Sequence, residues 1–128
     1  MKKVTKNIWF KFHIVIKCIE AICLVRKHNF KNLVSTLKKI KPNKVKGIID
    51  THVLSKRIKK INKILFSNKC LINSIAIFTI LKENGYFVEF KIGVKYDDGF
   101  KSHSWVECDG MPINEPNLDD YKIIHYIK

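Results

Sequence analysis

Cys70, His103 and Glu115 follow one another in the second half of a 128-residue chain, in an order that suits nucleophilic catalysis. Cys70 falls where an apolar helical pattern begins, and the N–H groups and dipole at a helix start favour the thiolate, the nucleophilic form of cysteine. The same N–H groups can stabilise the oxyanion formed when that thiolate attacks a carbonyl. His103 lies in Ser102-His103-Ser104-Trp105-Val106-Glu107, where strand alternation puts residues 103, 105 and 107 on one face. A histidine there, packed beside the start of the Cys70 helix, would act as base and then as acid. A third group should orient the imidazole, and Glu115 and its neighbour Asn114 compete for that place. Adjacent residues of a regular strand point to opposite faces, so only one of them faces His103. Glu115 would also stabilise the imidazolium by charge, whereas Asn114 would only orient it.

These groups need a helix and a sheet to hold them. Apolar residues Ile8, Phe12, Val15, Ile16, Ile19, Ile22 and Cys23 recur at steps of three and four, which predicts a helix over 7–28 with those residues inward and Asn29 ending it. Shorter stripes predict helices over Lys31–Ile40, closed by Pro42-Asn43, and over Thr51–Phe66, with Leu54, Ile58, Ile64 and Leu65 inward. Ser67-Asn68 offers an N-cap for a fourth helix, Lys69–Glu83, which Asn84-Gly85 closes. That helix is apolar almost all round and so belongs in the core. After Gly85 the period becomes two. Phe87–Lys95 and Lys101–Cys108 read as a hairpin about Asp97-Asp98-Gly99, Met111–Asn114 as a further strand, and Ile123–Ile127 as the last. The fold class is α+β, helices first and then a small antiparallel sheet, in a single domain over 1–128 with a basic helical part (1–66) and a catalytic core (67–128).

Lys69-Cys70-Leu71-Ile72-Asn73-Ser74-Ile75-Ala76, then Ile92-Gly93-Val94, then Ser102-His103-Ser104-Trp105-Val106-Glu107, Gly110 and Ile113-Asn114-Glu115 resemble the leader peptidases of lasso-peptide biosynthesis, its transglutaminase-like B proteins. The match covers about residues 66–116. The resemblance implies a papain-like core and a triad in which Cys70 is the nucleophile, His103 the base and Glu115 the third member, where the family usually has Asp. Asn73 stands where the family often has Arg. It further implies a cysteine peptidase that cuts the leader from a ribosomally made precursor peptide. Its expected partners are a leader-recognition protein and a macrolactam cyclase, and the cut needs no cofactor or metal.

Other residues near the motif have two readings each. Trp105 either walls the cleft and keeps water from the thioester or simply packs. Asn68 either donates to the oxyanion or caps the helix. Gly93 marks either a close backbone approach, as by bound peptide, or a bulge. The four cysteines form no C-x-x-C pair, and Cys18, Cys23 and Cys108 read as small buried hydrophobes. His13, His28, His52 and His125 show no partner pattern.

The formal charge of +14 is uneven: residues 1–69 hold 19 Lys/Arg against 2 acids, and residues 70–128 hold 6 against 9. With few aromatics among the lysines and no helix-turn-helix, RRM or zinc-finger pattern, nucleic acid is not the expected partner. Solvated helical faces, a docking surface for an acidic leader or partner, and a peripheral contact with an anionic membrane are the readings that stay open. No apolar run reaches the roughly 20 residues of a membrane span and no signal cleavage site follows the start, so a cytoplasmic protein is expected. The competing function is a catalytically inactive transglutaminase-like adaptor or a basic nucleic-acid- or anion-binding module. A third reading is acyl transfer by the same triad to an amine.

Overall fold

The computed structural model describes residues 8–42, 48–65, 69–115 and 117–128. Its elements are α1 (Ile8–Lys27), α2 (Phe30–Lys38), α3 (Thr51–Ile64), α4 (Cys70–Glu83), β1 (Val88–Tyr96), β2 (Phe100–Cys108), β3 (Met111–Pro112) and β4 (Lys122–Ile127). This is the α+β arrangement that the change of period at Gly85 implies.

Helix α4 is the centre of the molecule. Every residue from Ile72 to Leu81 is buried, with α1 and α3 on one side and the sheet on the other. Phe78 meets Phe90 of β1 edge-on, with ring centroids 5.9 Å apart. At the far end of α4, Gly85 takes φ +84°, and the Gly85 and Tyr86 N–H groups return to the Lys82 and Leu81 carbonyls. A side chain would strain that left-handed residue, which is why the helix stops at a glycine.

The helix starts differ from the sequence reading. Asn29 does not end α1. It caps α2 by accepting from the Asn32 N–H, as Asp50 caps α3 by accepting from Val53. Helix α4 begins after Lys69, which makes no side-chain cap, while the expected cap residues Ser67 and Asn68 lie outside the described residues.

Helix α1 also turns a different face inward. Ile14, Cys18 and Ala21 are buried, whereas Phe12, Ile16, Ile19 and Cys23 are exposed. Because α1 is apolar on several sides, its period alone does not choose the buried one. Packing against α4 makes the choice, and Lys17 on the flank of the buried face accommodates it: its ammonium reaches Glu83 at the end of α4 at 2.8 Å and Glu20 at 3.1 Å. In α3 the inward residues are Leu54, Ser55, Ile58 and Asn62, and Ile64 and Leu65 are exposed.

The four-stranded antiparallel sheet has the order β3-β2-β1-β4. Val88, Phe90 and Ile92 of β1 lie opposite Cys108, Val106 and Ser104 of β2 and face α4. Glu89, Lys91 and Gly93 lie opposite Glu107, Trp105 and His103 on the other face. Strand β3 is only two residues long, shorter than the expected Met111–Asn114. Asn114 leaves it with φ +51°. No helix among the described residues is long and apolar enough to cross a membrane.

Candidate active site

Two side chains of α4 fix its first turns. Ser74 donates to the carbonyl of Ser104 on β2 at 3.0 Å, and Asn73 accepts from Asn62 of α3 at 2.6 Å. Ser74 is one turn beyond Cys70 on the same helical face. Cys70 therefore opens α4 on the side turned to β2, and it is exposed. Asn73 is buried against α3, so it makes an internal contact rather than the substrate contact a surface position would allow.

His103 stands immediately before Ser104 and points to the opposite face of the sheet. Its Nε2 lies 3.0 Å from Glu115 Oε2. A carboxylate only accepts, so in the neutral ring Nε2 carries the proton and Nδ1 keeps its lone pair. Glu115 Oε1 is 3.9 Å from the Lys59 ammonium on α3.

Asn114 turns the other way. Its amide donates to the His52 carbonyl at 2.9 Å, and its Oδ1 meets His52 Nδ1. This reciprocal clasp ties the segment after β3 to the start of α3. It also corrects the reading of His52 as a histidine without a partner. The left-handed Asn114 breaks strand alternation, and with it the geometric choice between 114 and 115. The two residues diverge to α3 and to His103 instead.

Among the described residues no hydrogen bond joins the Cys70 thiol to His103, whose Nε2 is engaged by Glu115. Asn68 lies outside the described residues. Beside Glu115 an open groove of ≈ 580 Å³ is lined by His52, Lys56, Lys59, Pro112 and Asn114.

Trp105 is buried, and its ring stacks on the imidazole of His103, with centroids 6.0 Å apart and planes 21° apart. The indole N–H donates to Glu107 Oε2 at 3.0 Å, and Lys91 holds the other oxygen of Glu107 at 3.0 Å. Tyr121 closes the group, 5.7 Å from His103 and 6.1 Å from Trp105 between centroids, with the Lys95 ammonium 4.7 Å above its ring.

Gly93 explains how these rings fit. It pairs with His103 across the strands, and a Cβ there would come within 2.9 Å of the Trp105 ring and 3.0 Å of Tyr121 Cβ. The close approach is therefore made by this chain's own rings. The bulge is present too, as a register shift between Ile92 and Gly93 against β4. Sequence reasoning missed Tyr121 and Lys59, because neither has a motif and each reaches the site only through tertiary contacts.

Of the remaining cysteines, Cys18 is buried, and desolvation pushes its thiol up to about 12. Cys108 is half-buried and held above the usual thiol range by burial and by the adjacent Asp109 charge. Cys23 is exposed, contrary to its expected place in the core. Among the described residues no three His, Cys, Asp or Glu side chains gather as a metal site would require.

A family model described as the transglutaminase-like superfamily matches residues 21–125. Over 85 residues, 62% of this chain, the sequence is 34% identical to the microcin J25-processing protein McjB of Escherichia coli. The chain spans about 40% of the length of that curated relative. No solved structure matches it.

Proposed function

The chain belongs to the transglutaminase-like superfamily, and we propose that within it the chain is a cysteine peptidase that removes the leader from a lasso-peptide precursor. The observation that carries the reading is the 3.0 Å contact from His103 Nε2 to Glu115 Oε2. It leaves Nδ1 as the base and puts a carboxylate behind the ring, which is the arrangement a thiol nucleophile needs. The similarity to a microcin-processing protein supports the peptide substrate.

In this reading His103 Nδ1 takes the Cys70 thiol proton, and the thiolate attacks the scissile carbonyl carbon. The oxyanion lies at the N-terminal turn of α4, where backbone N–H groups point. The imidazolium then gives its proton to the leaving amine, the C–N bond breaks, and the leader remains as a thioester on Cys70. Water, deprotonated by His103, attacks the thioester, and Cys70 leaves with the proton. The amine set free is the N-terminus that a separate cyclase would acylate. Glu115 accepts the Nε2–H throughout and balances the positive charge of the imidazolium. Catalytic contacts often lengthen without substrate and tighten with it, and the approach of His103 to Cys70 is part of this proposal. In this reading a separate leader-recognition protein presents the precursor peptide to the cleft.

The test is cleavage of a precursor peptide by wild type and by Cys70→Ala, alongside timed alkylation of the thiols. We expect a loss of about 10³-fold or more in the variant and rapid, pH-dependent alkylation of Cys70. Full cleavage by Cys70→Ala would overturn the mechanism. A Cys70 that alkylates no faster than Cys23 favours the inactive-adaptor reading.

A further inference from the structure

We propose that α1 and its junction with α3 form a docking surface for an anionic lipid bilayer. The outward side of α1 is apolar where a surface helix is ordinarily polar. Phe12, Ile16 and Ile19 are 59%, 53% and 47% exposed, and Cys23 continues the row. Steps of four, three and four residues align them along one side of the helix.

Beside this row α1 and α3 enclose a groove of ≈ 160 Å³, with Ile14, Val15 and Ile61 as its floor and Lys11, Arg57 and Lys60 at its rim. None of these three cations has a carboxylate partner among the described residues. Arg26 and Lys27 add charge at the end of α1. An apolar ridge flanked by uncompensated cations matches a bilayer interface, with the isoleucines below the headgroups and the cations among the phosphates. Charge complementarity selects the occupant: 19 Lys/Arg against 2 acids in residues 1–69 call for a continuous anionic surface. Lys56 and Lys59 line the groove at Glu115 on another flank of α3, so docking through α1 leaves the candidate active site open.

The full chain is to be co-sedimented with vesicles of phosphatidylcholine alone and of phosphatidylcholine with phosphatidylglycerol. Binding is expected to the anionic vesicles only, and to weaken as salt rises from about 0.1 M to about 0.5 M. The double variant Ile16→Glu/Ile19→Glu should bind roughly tenfold or more weakly, with unchanged circular dichroism. Lys11→Glu/Lys60→Glu should do the same with no apolar side chain altered. Three results would overturn the proposal. One is no binding of folded wild type to anionic vesicles. The second is undiminished binding by both double variants. The third is a wild-type dimer in solution that Ile16→Glu/Ile19→Glu converts to monomer, which makes a second copy of the chain the occupant.

Discussion

The imidazole of His103 is held from two directions, by Glu115 at Nε2 and by the stacked ring of Trp105 and the tilted ring of Tyr121 on its flank. Removing the charge while keeping an acceptor separates orientation from electrostatics. Glu115→Gln is expected to lower kcat/KM for peptide cleavage roughly tenfold to a hundredfold, with Glu115→Ala lower still. Equal kcat/KM for wild type and the Gln variant would remove the role of the charge. Cys70, His103 and Glu115 were legible as candidates because their residue types and order suit one chemistry. Alternation gave that only one of Asn114 and Glu115 faces His103; it could not say which, since the strand is two residues long and Asn114 is left-handed beyond it. The His52–Asn114 clasp spans 62 residues, and no local pattern encodes a contact at that separation.

Among the elements, the hairpin and α4 were the most legible, because period, turn residues and the closing glycine all agree there. Helix α1 was legible as a helix but not in its facing, which its packing against α4 sets and where Lys17 meets Glu83 across 66 residues. Burial opposes the charge on Lys17, but hydrogen bonds and Coulomb attraction to Glu83 and Glu20 outweigh it and raise its pKa above the lysine value of 10.5. A raised lysine stabilises the fold fully below its unfolded pKa and loses that contribution as pH climbs through the folded one. Lys17→Met should therefore cost about 1 kcal/mol near neutral pH, discounted for solvent screening. The difference from wild type in urea midpoint should shrink above pH 10.5. A constant difference across that range would assign the effect to packing alone.

At the scale of the whole molecule, α4 is the body against which α1, α3 and the sheet all pack. Phe78 is fully buried at its contact with the sheet. Phe78→Ala is expected to cost about 3–5 kcal/mol and to lower helix and sheet melting together. Circular dichroism and tryptophan fluorescence should report one shared midpoint, and separate midpoints would show that the helical part holds without the sheet. The excess positive charge belongs to the helical first half, while Cys70, His103 and Glu115 lie in the near-neutral second half. The space above Gly93 has a consequence for descent. A methyl group there would collide with Trp105 and Tyr121, the two rings that flank the imidazole. Position 93 therefore cannot enlarge alone: a larger residue there needs a smaller ring at 105 and a displaced chain at 121, since it is the Tyr121 Cβ that it would meet. Through these three positions, and not through the histidine codon alone, a lineage inherits the orientation of its base.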